Sequence, residues 1–445
     1  MATKKDLIEA QKFSRSRLLS AFVGGAPGGK ELEPAKPLRA VFAGIALTAM
    51  VLLAGVFAGL LKPGLPSGWQ NNHLVVARDT GARYVSVQGV LHPVINTVSA
   101  RMIIPPGEFK VISVDQSSLN GVAVGGTVGI LGGPDSLPDE TQLDGTNWQA
   151  CSSDDYSEFW LGGAPRRAAT NDEGTVVNHG GRTFVVSGGT AFEVAAGAEI
   201  PVLRAVGLDT AQQHPVQGNW IALFVAGATL EPLTVPGAGD PAPGIDLPVG
   251  AVLHETGSPD TNLYLLTAQG ELAPLSQLAY KLYLLGDGAG KLGEPVEIGP
   301  AEIAELPTAA PAAGKLWPES QLTPLRGDGS PCATLTGKAS DQRTTLSART
   351  EVVGGGTAKA GVLTHVPDGG GALVRPGVSG SLSIIDPIGI RYAVPGSIKV
   401  ATQRLGYSAK DVTVVPAAWL QLLPAGPELT PEAAGATPTP TPAEQ

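Results

Sequence analysis

AVFAGIALTAMVLLAGVFAGLL, residues 40–61, is the stretch on which the reading of this chain turns, because its 22 residues include no charge. At about 1.5 Å rise per residue it spans the roughly 30 Å hydrocarbon core of a bilayer. Pro37 and Arg39 precede it, and Lys62 and Pro63 close it. A cleaved signal peptide is the competing reading, but such a signal has an apolar core of about 7–15 residues and a small-residue cleavage site. Here a long segment leads in, the apolar run is too long, and LKPGLPSGW offers no convincing site. The stretch is therefore expected to be a single transmembrane helix between a head, residues 1–39, and a body, residues 62–445.

Basic residues set the expected orientation, since Lys and Arg near a membrane helix stay cytoplasmic. The head holds eight (Lys4, Lys5, Lys12, Arg15, Arg17, Lys30, Lys36 and Arg39), whereas only Lys62 and Arg78 lie between the stretch and residue 80. The head is expected inside and the body outside. Removing the head's eight basic and four acidic residues from the chain's 30 and 40 leaves the body 22 basic against 36 acidic, a net −14. That balance argues against nucleic acid or anionic lipid as the body's partner. With 59 Gly, 38 Pro and 16% charged residues, the body reads as short strands joined by many turns. It is also too long for one hydrophobic core, so several domains or a repeat array are expected.

Two cysteines, Cys151 and Cys332, fall on the outer side. Outside the cytoplasm an isolated pair reads as a disulfide before a metal site, which would need further ligands at short spacing. Two buried free thiols are the alternative. If the cysteines pair, the segment between them loops out of one domain.

In the head, Thr3 followed by Asp6 resembles a capping box, and a helix is expected to about Val23. Leu7, Ile8, Leu18, Leu19 and Phe22 share one face of it, interrupted by Gln11 and Arg15, and suit a membrane surface or a partner protein. Gly24, Gly29 and Lys30 mimic a phosphate-binding loop. Glu31 stands where Ser or Thr would hold magnesium, and Pro34 and Pro37 forbid the required helix, so the motif reads as a decoy in a glycine-rich hinge.

Weak internal repetition marks the body. YVSVQGVLHPV, FVVSGGTAFEV, LLTAQGELAPL and IIDPIGIRYAV each place two strands around an aligned glycine, Gly89, Gly189, Gly270 and Gly389. Five residues on stand Val94, Val194, Leu275 and Val394. Glycine suits the positive φ of a hairpin turn. Gly207, Gly286 and Gly406 then suit helix C-caps. The fold class expected is α+β: a single-pass N-terminal helix, then an elongated extracytoplasmic body of a mainly β central domain plus four hairpin-and-helix modules. The expected order is an amphipathic head at 1–39, the membrane helix at 40–61, module 1 at 62–110 and the first half of the centre at 111–178. Modules 2 and 3 follow at 179–240 and 241–299, the second half of the centre at 300–371, module 4 at 372–429, and a disordered Pro/Thr tail at 430–445.

Chemistry is harder to find. His73, His92, His179, His214, His254 and His365 are scattered, with no HExxH and no close ligand pair. Asp135, Asp139, Glu140, Asp144, Asp154, Asp155 and Glu158 form an acidic region without EF-hand spacing, read as a solvated face rather than a calcium site. GVSGS at 377–381 fails the register of a nucleophile elbow and reads as a turn. No cofactor and no metal are expected.

A resemblance emerges from the combined motifs. Gln11, Phe13, Arg17, Leu18, Ala21 and Val23, then Pro37, Leu38 and Arg39, resemble the start of the EccB family, the B components of the actinobacterial type VII (ESX) secretion membrane complex. TVGILGGPDSLP at 127–138, Trp148 with Cys151, Pro331 with Cys332, and VVPAAWLQLLPAGPEL at 414–429 extend the similarity over nearly the whole chain. The resemblance implies a disulfide-tied central domain flanked by four repeat modules. It also implies a membrane scaffold that joins the FtsK-like translocating ATPase (EccC), the multi-span channel subunit (EccD) and other core subunits (EccE), while the outer body self-associates. Some members of the family are credited with ATP hydrolysis.

Three functions are thus open. A non-enzymatic scaffold would use Leu18, Leu19 and Phe22 and the membrane helix, where Gly55 and Gly59 form a G-x-x-x-G face, as interfaces. An ATPase would depend on Lys30. A glycan-binding body would repeat exposed aromatics, yet Tyr84, Phe184, Tyr264 and Tyr392 do not share a register.

Overall fold

A computed structural model describes residues 3–24, 37–60, 64–152, 157–163, 166–312, 317–327, 330–337, 341–350, 357–359 and 361–439. The chain is mixed α+β and divides into two units, Met1–Gly64 and Leu65–Gln445. In the first, α1 (Lys4–Gly24) starts where the Thr3 amide and hydroxyl both donate to Asp6 Oδ2, at 2.9 and 2.6 Å. This is the expected start. Helix α2 (Pro37–Leu60) opens with proline, whose missing N–H costs nothing in a first turn. Its Leu38–Val56 stretch is long and apolar enough to cross a membrane.

The second unit opens on β1 (His73–Ala77), β2 (Arg83–Val87) and β3 (Val90–Pro93), then α3 (Thr97–Ile103) and β4 (Lys110–Val114). The three strands form an antiparallel meander, and β4 returns parallel to β1 on its far side. Short strands β5 (Gln149–Ser152), β6 (Ser157–Trp160) and β7 (Arg166–Ala168) follow.

A second sheet takes the same course through β8 (Glu173–His179), β9 (Arg182–Ser187), β10 (Thr190–Glu193), α4 (Glu199–Val206) and β11 (Gln213–Pro215). After α5 (Gly218–Ile221), β12 (Val225–Ala226) pairs with β10. The third sheet repeats the order in β13 (Val252–Glu255), β14 (Leu263–Leu266), β15 (Leu272–Leu275), α6 (Gln277–Tyr283) and β16 (Val296–Ile298), followed by α7 (Pro300–Glu305).

Strand β17 (Thr323–Pro324) joins β8, and β18 (Pro331–Thr336), β19 (Arg343–Arg349), β20 (Thr357–Lys359) and β21 (Val362–His365) join β5, β6 and β7 in a central sheet. Its order is β20-β21-β6-β5-β18-β19-β7, so it draws on two segments far apart in the chain. The fourth sheet is β22 (Ala372–Pro376), β23 (Leu382–Ile385), β24 (Arg391–Val394), α8 (Ile398–Leu405) and β25 (Thr413–Val415). Helices α9 (Ala417–Gln421) and α10 (Pro431–Gly435) end the described chain.

Local chemistry explains many boundaries. Asn96, Ser276 and Ser397 cap α3, α6 and α8 by accepting the amides of Ser99, Ala279 and Val400. Gln88 and Gly89, at φ 50° and 77°, form the two-residue turn between β2 and β3, with positive φ at both positions as a type I′ hairpin requires. Val94, Val194, Leu275 and Val394 are all buried.

Several expectations need correction. In the second hairpin the positive φ falls on Gly188, not Gly189. Gly207 and Gly406 are left-handed C-caps at φ 90°, but α6 ends at Leu284 in right-handed conformation, so Gly286 caps nothing. The first sheet includes β4 beyond residue 110, and the second begins with β8 before residue 179. Strand β4 reaches β1 only after a helix has intervened, and β8 precedes its hairpin turn at Gly180 and Gly181, so boundaries drawn at the aligned glycines miss both. Of the expected disordered tail, residues 430–439 are described and include a helix, and 440–445 lie outside the described residues. Thr430 accepts the Ala433 amide to start α10, whose Ala434 is fully buried against α3 and the fourth sheet.

Candidate functional site

The centre of the second unit is built on two faces of one sheet. Alternation along the strands turns Ala150, Phe159, Ala333 and Leu346 to one side, into a core shared with the second and fourth sheets. Trp148, Phe159 and Trp419 meet there edge to face, their ring centroids 5.5–6.4 Å apart. Trp220 from α5 and Trp419 from α9 enter this core, and each finds a polar partner. The Trp220 indole N–H donates to the Ala150 carbonyl at 2.9 Å, and that of Trp419 to Thr344 Oγ1 at 2.9 Å.

The opposite face carries Gln149, Cys151, Glu158, Trp160, Cys332, Thr334, Ser347, Arg349 and His365. Cys151 and Cys332 are cross-strand partners joined by a disulfide, with both side chains buried. Beside them Glu158, 3% exposed, is ion-paired to Arg349 and lies 2.8 Å from His365 Nε2. The His365 ring stacks on Trp160 at 3.8 Å. The solvated acidic face expected around Glu158 is therefore corrected. Its position inside a strand, opposite Cys151, turns the carboxylate inward where only paired charge is tolerated.

A second buried carboxylate, Glu173, stands where β7 leads into β8. It accepts two bonds from Arg167, at 2.8 and 3.1 Å, and one from each of the Thr170 and Arg326 amides. The Arg167 pair, reinforced by those amides against the opposing effect of burial, holds its pKa down at about 2.

Other candidate residues lie apart. His73, His92, His179 and His254 each face a backbone carbonyl. Among the described residues no three His, Cys, Asp or Glu side chains are grouped to hold a metal. Asp135 pairs with Arg83, Asp144 accepts the Thr146 amide, and residues 154 and 155 lie outside the described residues. The 377–381 segment is a turn between β22 and β23 with Gly377 at φ 62°.

In the first unit Leu18, Leu19 and Phe22 are exposed, Phe22 by 93%. Gly24 ends α1, while Gly29 and Lys30 lie outside the described residues. Nothing approaches within 4 Å of a Cβ built on Gly55, and Gly59 lies within α2. A surface notch lined by Val41, Gly44, Ile45, Thr48, Ala49 and Leu52 runs along α2. At 100° per residue Gly44, Thr48, Gly55 and Gly59 fall within one narrow stripe, so the glycine pair continues a small-residue face along α2.

These features define a class: a chain with, among the described residues, one candidate membrane helix and a disulfide-tied body of five sheets. The family described as type VII secretion system ESX-1, transport TM domain B, matches residues 1–440, and the chain belongs to it. A relative named ESX-3 secretion system ATPase EccB3, from Mycobacterium tuberculosis, is 27% identical over 88% of this chain and 81% of its own length. A chain in the structure of an intact ESX-5 inner membrane complex is similar at TM-score 0.69 and 22% identity, covering 100% of this chain and 97% of that one. The EccB3 dimer from the ESX-3 core complex is similar at TM-score 0.67 and 21% identity, over 82% and 99%.

Proposed function

We propose that this chain is the EccB-type scaffold subunit of an ESX inner-membrane secretion complex. The family match across residues 1–440 carries this reading, since it includes both the membrane helix and the body. The head faces the cytoplasm and the body the periplasm, in keeping with the eight basic residues before the helix. Leu18, Leu19 and Phe22 and the small-residue stripe of α2 contact the translocating ATPase (EccC), the channel subunit (EccD) and EccE. The body associates with copies of itself, as the EccB3 dimer of a relative suggests. The four sheets with one strand order act as repeat modules, arranged around the central sheet at the boundaries expected from sequence, adjusted to include β4 and β8. Purification of the tagged protein in mild detergent, followed by a native gel and identification of what travels with it, tests the proposal. Migration alone, without a hexameric ATPase or multi-span partner, overturns it.

The relatives' name favours a second reading, ATP hydrolysis by this chain. On that reading purified protein hydrolyses ATP and Lys30→Ala abolishes the activity. The cofactor-free scaffold is preferred because Glu31 and Pro34 break the only phosphate-loop motif.

A further inference from the structure

Where the first sheet meets the fourth, α3 packs on α8 and a cleft of about 240 Å³ opens between them. Thr97 and Arg101 line one wall, Gly406 and Tyr407 the other, and Asp139 and Glu140 stand on the rim. The two walls come from opposite ends of the body's sequence.

Arg101 is the anomaly in this seam. Its guanidinium lies over the Phe109 ring, 4.3 Å from the centroid, and among the described residues it has no hydrogen bond or ion pair. Its neighbours are committed. Arg83 neutralises Asp135, and Arg404 donates to the carbonyls of Met102 and Ile104 at the end of α3. The Tyr407 hydroxyl donates to the Pro138 carbonyl, and burial raises its pKa, so it offers Arg101 no negative charge. Burial likewise pulls the Arg101 pKa down. Gly406 makes the space possible, because a Cβ there would stand 2.5 Å from Arg101 Nη1.

A partly desolvated cation without a counter-charge is unfavourable, and an anion brought to it recovers part of that cost. The rim sets a second requirement. Asp139 and Glu140 are exposed and unpaired among the described residues, and they repel a bare anion while attracting an ammonium group.

We propose that this cleft binds a small zwitterion, a free amino acid or a dipeptide, with its carboxylate on Arg101 and its ammonium group on Asp139 and Glu140. A ligand held between both walls braces the first sheet against the fourth.

Three probes separate the two charges: glycylglycine carries both, N-acetylglycine only the carboxylate and glycinamide only the ammonium. Titrated into the full chain in detergent and followed by calorimetry, glycylglycine is expected to bind at least about tenfold more tightly than either of the others. Arg101→Gln should weaken it by about tenfold or more. Asp139→Asn with Glu140→Gln, both on the exposed rim, should do the same without changing the melting temperature of the free protein. The proposal is overturned if glycylglycine does not bind, if N-acetylglycine binds equally well, or if the rim double variant keeps wild-type affinity.

Discussion

Cys151 and Cys332 face each other across two neighbouring antiparallel strands, bonded to one another at a sequence separation of 181. Between them the chain adds β6 and β7 to the central sheet and then leaves it to form the second and third sheets, so the bond closes both into one loop. Replacing both cysteines by alanine should lower unfolding free energy by about 3–5 kcal/mol, as expected for opening so long a loop. Chemical denaturation of the double variant measures this, and a loss below about 1 kcal/mol would show that the sheet alone holds the two segments.

Glu173 makes stability depend on acid. Its folded pKa, about 2, lies below the ordinary 4.5. Its contribution is therefore fully present above the unfolded value and is lost as pH falls towards 2. Glu173→Gln should cost about 3 kcal/mol at neutral pH, because it leaves Arg167 facing an uncharged buried group. Denaturation curves across the acid range should show a shallower pH dependence in the variant than in the wild type.

Trp419 carries the fourth sheet onto the centre. It is fully buried and packed against Trp148 and Phe159. Trp419→Ala should cost about 3–5 kcal/mol. Thermal unfolding followed by near-ultraviolet dichroism reads the loss of the aromatic cluster directly.

The end of the chain should matter to the first sheet. A chain stopped after Leu429 loses the Thr430 cap, the buried Ala434 and the bond from the Gly129 amide to the Ala436 carbonyl. The expected cost is about 1–3 kcal/mol from the lost cap and burial. Amide exchange should rise in α3 before it rises in the third sheet. Unchanged exchange in α3 would make α10 dispensable.

The membrane helix carries a different prediction. Gly55→Leu and Gly59→Leu place bulk on the small-residue stripe and should weaken complex assembly while leaving membrane insertion intact. Native-gel mobility together with membrane fractionation separates the two outcomes, and normal assembly of both variants reduces the helix to an anchor.

Local chemistry wrote much of this fold plainly. The charge-free 40–61 stretch needed only its length and composition to declare a helix long and apolar enough to cross a membrane. Thr3 with Asp6, and Gly89, Gly207 and Gly406, act within a few residues of themselves, so their turns and caps were legible. The pairing of Cys151 with Cys332 was legible in outline because an isolated pair of cysteines without further ligands at short spacing has few alternatives to a disulfide.

Gly286 resembled its aligned counterparts but has no left-handed role, since α6 closes in right-handed conformation at Leu284. Strand β4 returns beside β1 from across a helix, and Pro431–Gly435 become helical by burying Ala434 against α3, at the other end of the body's sequence. Glu158, one acid among several in the sequence, is buried because its strand lies between β21 and β5. Sequence alone determined what nearest neighbours along the chain can decide: the long apolar helix, the turns and the caps. Only tertiary structure decided which strands pair, which charges are buried and where the tail lies, because each depends on free energy gained from residues that meet only after the chain has folded.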